Sequence, residues 1–400
     1  MERFSLEDRA ESNHGRVAEL SMTADLDLYR DREQSFIKHQ FLTKYLQAAA
    51  YKTLQGHSPV FNFVDAFAGP WKVSDDAKYS DASFDQAINT LEAVRADLGK
   101  KGVSGLKIRF CFCEQRRDRV AHLSKYAASK DKFEIYVFKG AFEDNLNAIA
   151  AKLPDGFTFT FIDPTGWNIR NEEVFRFLRD QRGEFMLNFM SDHINRHAGY
   201  KEVAASFGRF LADAEWADEF ALLPADWTNE QKMLHLMKDA MRTGKVATYL
   251  PDFSIMVPRK ERVKMRLILG THSAKGLEVF RDVEEKVEKQ EIEMRQNLRD
   301  GDSPQVSLFS AADIAAFQQE QKGVGCKAYR VRAESMIIDF LQGRAHAFPG
   351  PLFNMVMERV PIRRPQLNKL LIDMRIRGVV SFDLPHAKKV PQESTKISLA

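Results

Sequence analysis

The segment FVDAFAGPW, residues 63–71, decides the fold that we expect for this chain. It joins the end of a short apolar run, VFNFVD (60–65), to a turn built largely from small residues. Such a strand end lets the backbone approach a nucleotide-like ligand at the carboxyl edge of a sheet. We therefore predict that Asp65 contacts the amino group, or a bound water, near the methionine moiety of S-adenosylmethionine, with Phe67 and Gly69 in the same loop. The spacing G-x-G-x-x-G of a dinucleotide-binding loop is absent here.

Strand-like and helix-like segments alternate along the chain after this turn. The next strand-like runs are KIRFCFCE (107–114), FEIYVF (133–138), FTFTFID (157–163) and EFMLNFM (184–190). This alternation favours a parallel sheet covered by helices on both faces. The runs DFSIMV (252–257) and KMRLILG (264–270) lie too close together for a parallel crossover, which predicts an antiparallel hairpin. The predicted fold class is α/β, a methyltransferase-like Rossmann sheet of five parallel strands plus an antiparallel hairpin.

Polar or turn-forming residues follow two more of the predicted strands. Glu114 ends the second strand, where an acid commonly accepts both ribose hydroxyls of a nucleotide. Ala141 and Phe142 follow the third strand, where we expect the adenine to lie against apolar surface. A single acid at a strand end is more often a helix cap than a ligand contact. Signals at three successive strand ends favour a cofactor site.

The motif FIDPTGW (161–167) places Asp163 at the end of the fourth strand. Methyltransferases that act on adenine carry an acid or amide, two prolines and an aromatic at this point, and they clamp a flipped base there. We therefore predict Asp163 as a catalytic residue that also borders the cofactor, and Trp167 as the aromatic. The second proline is replaced, so the motif is partial, and the alternative is a helix-capping Asp163 with Trp167 in the core. Arg196, after the fifth strand, is the predicted substrate or phosphate contact.

Length and composition exclude several classes of protein. A chain of 400 residues is long enough for two domains, and its 44% hydrophobic and 29% charged residues are typical of a globular protein. It contains no run of 18 apolar residues, and its charged N-terminus lacks the apolar region of a secretory signal. Its three cysteines cannot form a disulfide framework. We expect a cytoplasmic protein that neither spans a membrane nor holds a metal.

The sequence divides into four regions. We predict a polar N-terminal arm (1–30) and a Rossmann-like methyltransferase-type domain (31–285) that carries a helical insertion at about 199–243. A charged linker (286–325) then leads to a winged-helix-like domain (326–400), in which three helical patterns precede a basic hairpin. Residues 323–400 contain 13 Lys or Arg against 6 Asp or Glu, whereas the rest of the chain is mildly acidic. This asymmetry is a reason to expect nucleic acid, DNA or RNA, as the partner of the C-terminal domain, although a solvated basic surface explains the charge equally well.

The candidate nucleic-acid contacts lie on the third helix and on the basic tip of the hairpin. They are Arg363, Arg364, Asn368, Lys369, Arg375, Lys388 and Lys389. Helical spacing puts Arg364, Asn368 and Arg375 on one side of that helix. The alternative is a winged helix that docks a protein.

Several of these motifs together resemble the three-Cys-motif partner (TcmP) family. The similar segments are FVDAFAGPW, YSDASFDQAINTL, FCFCEQ, FIDPTGW, GEFMLNFMSDHINR and THSAKGLEVFRDV, within residues 35–285, and the resemblance extends to the tail. It implies a methyltransferase-like Rossmann domain in a bacterial protein, often encoded beside a radical-SAM-like protein with three clustered cysteines. Many relatives carry a glycine where this chain has Trp71, and a tryptophan there narrows the expected cofactor cleft.

Three functions follow from these patterns. The first is a methyltransferase that uses S-adenosylmethionine and acts on nucleic acid, at a base nitrogen. The second is a non-catalytic, nucleic-acid-binding partner of a three-Cys-motif radical-SAM-like protein. The third is a regulator whose Rossmann-like domain senses a nucleotide-like ligand. Asp65, Glu114 and Asp163 favour the first, whereas Trp71 and the missing proline favour the second.

Overall fold

The computed structural model describes residues 26–56, 58–69, 79–153, 155–192, 194, 204–302, 310–384 and 388–400. Arg196 and Trp71 lie outside these residues, so their predicted roles stay predictions. The same holds for residues 1–25 of the predicted N-terminal arm.

A seven-stranded mixed sheet forms the centre of the protein. The strands are β1 (Val60–Asp65), β2 (Lys107–Glu114), β3 (Glu134–Lys139), β4 (Phe157–Ile162), β5 (Gly183–Phe189), β6 (Asp252–Met256) and β7 (Val263–Gly270). Their order across the sheet is β3-β2-β1-β4-β5-β7-β6. The strands β1 to β5 run parallel, whereas β7 runs antiparallel to both β5 and β6. The predicted Rossmann-like α/β class is confirmed.

Helices cover both faces of the sheet. They are α1 (Glu33–Leu54), α2 (Ser83–Lys100), α3 (Arg117–Ala128), α4 (Phe142–Ala150), α5 (Asn171–Asp180), α6 (Ala204–Leu211), α7 (Trp216–Leu222), α8 (Asn229–Thr243) and α9 (Ala274–Asp302). The described part of the predicted insertion, from residue 204 to 243, consists of α6, α7 and α8. None of the helices in the described ranges is long and apolar enough to cross a membrane.

Alternation along β1 explains why the sheet has two cores. Phe61 and Phe63 join the core that α1, α2 and α9 form on one face, whereas Val64 joins the core of α4, α5, α6 and α8 on the other. Successive side chains of a strand point to opposite faces, and both faces here are covered by helices. Asn62 is buried too, and its amide nitrogen donates to the hydroxyl of Thr158 at 3.3 Å. This bond supplies a partner for a polar side chain between two apolar layers.

Two region boundaries differ from the sequence prediction. The end of the predicted arm is not polar surface, since Tyr29 is 2% exposed and its hydroxyl lies 2.8 Å from Nδ1 of His39. The predicted linker is mostly helical, because α9 continues to residue 302 and α10 (Ala311–Lys322) packs against it. The amide of Gln319 donates to the backbone carbonyl of Glu285 at 2.6 Å. The many polar side chains of this region predicted a linker, but some of them form hydrogen bonds between α9 and α10.

The C-terminal region has its own apolar core. It contains α11 (Lys327–Leu341), α12 (Pro349–Arg359), α13 (Arg364–Ile376), β8 (Val380–Ser381) and β9 (Ser398–Leu399). The strands β8 and β9 pair antiparallel, and an isolated bridge joins Ala347 to Ile397. Leu277 of α9 is fully buried in this C-terminal core, so the two parts of the chain pack directly on each other.

A buried arginine joins α9 to the end of α12. Arg281 is 2% exposed, and its guanidinium donates to the carbonyl of Met357 at 2.6 Å and to that of Glu358 at 3.1 Å. Its remaining nitrogen pairs with Glu284 at 2.5 Å. The last carbonyls of a helix lack intrahelical partners, and a cation there also opposes the helix dipole. Arg281 therefore fixes the C-terminal region to the long helix α9.

The carboxyl group of Glu288 on α9 makes stability depend on pH. Burial, reinforced by the Glu284 carboxyl, raises the pKa of Glu288 to about 8, although the backbone N–H of Val324 donates to it at 2.8 Å. A carboxyl whose pKa is raised on folding contributes stability that is complete below its ordinary value of 4.5 and lost as pH rises through the folded value.

We predict that the stability of Glu288→Gln increases relative to that of the wild type as pH rises from 5 to 8. The difference in the free energy of unfolding should move in favour of the variant by roughly 1–3 kcal/mol, because glutamine has no charge to bury. Urea unfolding at both pH values measures it, with Glu320→Gln at an exposed position of α10 as the matched control. A constant difference between wild type and Glu288→Gln would contradict the prediction.

Candidate cofactor cleft

Three acidic side chains lie at the carboxyl ends of adjacent parallel strands. Asp65 ends β1, Glu114 ends β2, and Asp163 follows β4. The loop after β1 is held to both neighbouring strands, since the N–H of Ala66 donates to the carbonyl of Phe161 and that of Ala68 to the carbonyl of Cys113, each at 2.9 Å. In open α/β sheets ligands bind outside the carboxyl ends of the strands. The structure thus brings together three of the residues that the sequence predicted for one site.

Asp65 is fully buried and holds the loop that follows β1. One oxygen accepts from the Ser83 hydroxyl at 2.6 Å, and the other accepts from the N–H of Phe67 at 3.1 Å. Burial raises the pKa of Asp65 to about 7, and these two hydrogen bonds oppose the rise. The geometry makes Asp65 a positioning residue for the loop. Its predicted direct contact with a ligand stays a prediction.

Glu114 lies directly against the loop that Asp65 positions. Its Oε1 accepts from the N–H of Arg116 at 2.7 Å. A Cβ atom built on Gly69 would lie 1.3 Å from its Oε2. A residue with a side chain at this position would require the carboxylate or the loop to move. The predicted approach of this loop to a ligand stays a prediction.

Asp163 belongs to a polar cluster that the sequence analysis found only in part. Its Oδ2 forms an ion pair with the ammonium of Lys38 on α1, and its Oδ1 accepts from the amide of Asn188 at 2.6 Å. The amide oxygen of Asn188 is buried, with no hydrogen-bond partner among the described residues. Lys38 lies three and four residues before the buried Phe41 and Leu42. A lysine within the apolar side of a helix was the signal that could have identified it.

The residues predicted to border the adenine and the substrate lie partly in the core. Phe142 is 1% exposed and packs edge-on against Phe177, with ring centroids 5.7 Å apart. Its ring therefore faces α5 rather than a ligand surface, while Ala141 immediately precedes α4. Trp167 stacks on Phe207 at 4.8 Å, and its indole nitrogen donates to the Ser206 hydroxyl at 2.9 Å. The stacking on Phe207 covers one face of the tryptophan ring and closes that face to a base.

The predicted nucleic-acid contacts fall into two groups. Arg363 pairs with Glu285 of α9 at 3.0 Å, and Arg364 pairs with Glu278 of α9 at 2.8 Å. Arg364, Asn368 and Arg375 all lie on the helix α13, as the spacing requires, but the guanidinium of Arg364 is already paired with the acidic side chain of Glu278. Asn368 is partly buried and its amide oxygen has no partner in the described part of the chain. The exposed members of the set are Lys369, Arg375, Lys388 and Lys389.

The cleft offers carboxylate oxygens and an ammonium that an organic cofactor can bond. Among the described residues no three His, Cys, Asp or Glu side chains are grouped as metal ligands. Glu114 offers carboxylate oxygens beside a loop with no side chain at Gly69. Lys38 adds an ammonium at the other side of the site. These groups fit the hydroxyl, amino and carboxylate groups of S-adenosylmethionine.

Comparison with known proteins gives weak matches. No family model and no curated protein matches the chain, so the resemblance to the three-Cys-motif partner family stays a prediction. A protein from Legionella pneumophila in family DUF519 is 13% identical with a TM-score of 0.35, covering 60% of this chain and 85% of that one. Loganic acid methyltransferase with SAH is 8% identical with a TM-score of 0.32, covering 68% and 89%. A cofactor-bound protein from MTB, Rv0187, is 10% identical with a TM-score of 0.29, covering 68% and 100%.

We predict that Gly69→Ala destabilises the protein by roughly 1–3 kcal/mol, because the new methyl group must displace the Glu114 carboxylate or the loop. Thermal unfolding measures the cost. Gly166→Ala is the matched control, since a Cβ there meets nothing within 4 Å. In a Glu114→Ala background the cost should largely disappear, because the obstructing carboxylate is gone. Equal costs in the two backgrounds would show that Glu114 is not the obstacle.

Proposed function

We propose that this protein binds S-adenosylmethionine at the carboxyl ends of β1, β2 and β4 and transfers its methyl group to a base nitrogen of a nucleic acid. The observation that carries the proposal is the convergence of Asp65, Glu114 and Asp163 at one edge of a Rossmann-like sheet, with Gly69 pressed against Glu114. The strand pattern is that of methyltransferase-like sheets, five parallel strands with an antiparallel pair.

The residues divide the work of holding the cofactor. Glu114 accepts hydrogen bonds from the two ribose hydroxyls, while Asp65 keeps the loop through Gly69 in the shape that leaves room for the ligand. The backbone at Ala141, before α4, borders the adenine. When bound, S-adenosylmethionine supplies an electrophilic methyl group.

Asp163 acts on the nitrogen that receives the methyl group. Its carboxylate accepts an exocyclic N–H and so offsets the positive charge that develops on that nitrogen. Lys38 and Asn188 each bond one oxygen of the carboxylate and fix its orientation. Each oxygen can accept a further hydrogen bond, so these contacts leave room for the substrate.

The C-terminal region would hold the nucleic acid. We interpret α11, α12, α13 and the short β8–β9 pair as a winged helix. The exposed Lys369, Arg375, Lys388 and Lys389 provide phosphate contacts. In this structure Arg363 and Arg364 face α9, so a nucleic acid would have to compete for them with Glu285 and Glu278.

A non-catalytic partner of a three-Cys-motif radical-SAM-like protein is the second candidate function. The ion pair from Lys38 favours it, because that pair engages one oxygen of the proposed catalytic carboxylate. This candidate predicts cofactor or product binding without methyl transfer.

We predict that Asp163→Asn lowers methyl transfer by about 10²–10³-fold, because the variant keeps an acceptor oxygen but loses the charge that stabilises the transition state. Affinity for S-adenosylhomocysteine should change far less. Transfer of labelled methyl to total nucleic acid measures turnover, and Asp180→Asn at an exposed position of α5 is the control. Equal turnover of wild type and Asp163→Asn would assign Asp163 a structural role. No transfer by a wild type that binds S-adenosylhomocysteine would favour the second candidate.

We predict that the affinity for duplex DNA decreases steeply as the salt concentration rises. The slope of log affinity against log salt concentration should become shallower by about 0.9 for each phosphate contact removed. Replacing Lys388 and Lys389 by glutamine should reduce that slope, whereas Lys286→Gln on α9 should leave it unchanged. Fluorescence anisotropy at several salt concentrations measures the slopes. A wild-type affinity that does not respond to salt would exclude this face as a phosphate-binding surface.

A further inference from the structure

Lys38 is a nearly buried ammonium with spare hydrogen-bonding capacity. The residue is 8% exposed. Among the residues that the structure describes, its ammonium makes one hydrogen bond, to the Asp163 carboxylate with which it also forms an ion pair. An ammonium carries three N–H donors. Among the described residues only Asp163 accepts from it, so two N–H donors are left for a ligand at a place where solvent reaches little of the side chain.

A purely structural ion pair explains this arrangement poorly. Removing two charges from water costs several kcal/mol for each ion, and the attraction between them repays the cost only when their remaining hydrogen bonds are satisfied. Within the described part of the chain, the hydrogen-bonding capacity of Lys38 is not used up by Asp163. A ligand that brings an acceptor would complete it.

The order of the strands indicates which part of the cofactor would arrive there. Glu114 ends β2 and Asp163 follows β4, and these strands flank β1 on opposite sides. The two sites are thus separated by about 10 Å, two strand spacings. A cofactor held through its ribose at Glu114 and extended across the end of β1 directs its amino-acid arm toward Lys38.

We propose that Lys38 binds the α-carboxylate of the methionine arm of the cofactor. The inference rests on the proposed binding of S-adenosylmethionine in this cleft. The carboxylate of Asp163 would repel an anionic group, so the α-carboxylate needs a cation at this position. The α-amino group of the same arm can donate to Asp163, whose side chain is partly exposed.

Two ligands that differ only at the amino-acid arm test the proposal. S-adenosylhomocysteine carries the arm, whereas 5′-methylthioadenosine ends in a methyl group. Lys38→Met should lower the affinity for S-adenosylhomocysteine by about ten- to a hundredfold, the range for a lost hydrogen bond to a charged group. Its affinity for methylthioadenosine should stay within a factor of about two of the wild-type value, since this is below 0.5 kcal/mol. Isothermal calorimetry measures both affinities.

Controls separate this inference from the proposed function. Lys52→Met, at an exposed position on the same helix, should change neither affinity. Retained methylthioadenosine binding shows that Lys38→Met has kept the cleft folded, and Lys38→Gln serves the same comparison if the methionine variant unfolds. Equal effects on both ligands, or none on either, would overturn the role of Lys38 alone. A wild type that binds neither ligand would overturn the proposed cofactor, and this inference with it.

Discussion

The ion pair between Lys38 and Asp163 is the interaction on which the geometry of the cleft depends. It ties α1, which precedes the sheet in the chain, to the carboxyl end of β4. Removing one partner of such a pair leaves a charge unpaired in a poorly solvated place, which lowers the free energy of unfolding by roughly 3–5 kcal/mol when burial is complete. Asp65 beside it avoids a similar cost in another way, because burial raises its pKa toward neutrality and Ser83 and Phe67 supply hydrogen bonds.

Helix α9 connects the cleft-bearing sheet to the C-terminal region. Arg281 on this helix bonds the carbonyls at the end of α12, while Glu278 and Glu285 on it bind the arginines at the start of α13. These carboxylates pair with the guanidinium groups of Arg363 and Arg364, which phosphates of a nucleic acid would otherwise bind. The nucleic-acid surface proposed for the C-terminal region is therefore smaller than its charge suggests, and its affinity depends on whether phosphates displace α9.

Much of the fold could be predicted from sequence, because apolar runs and turns repeat with clear periods. VFNFVD and FTFTFID predicted strands that end within one residue of the observed ends, and the acids after them lie at one edge of the sheet. The partners of those acids could not be predicted, because Lys38 and Asn188 are distant from Asp163 in the chain. The helical α10 was also missed, since its stability comes from packing and hydrogen bonds to α9. Likewise, the burial of Phe142 against α5 depends on tertiary packing that local sequence does not encode.

A structure of the protein determined with S-adenosylhomocysteine at millimolar concentration tests the central claim most directly. The account predicts density across the carboxyl ends of β2, β1 and β4, with the ribose hydroxyls within hydrogen-bonding distance of Glu114 and the amino-acid arm at Lys38. An empty cleft at that concentration, or a ligand bound elsewhere on the chain, would contradict it.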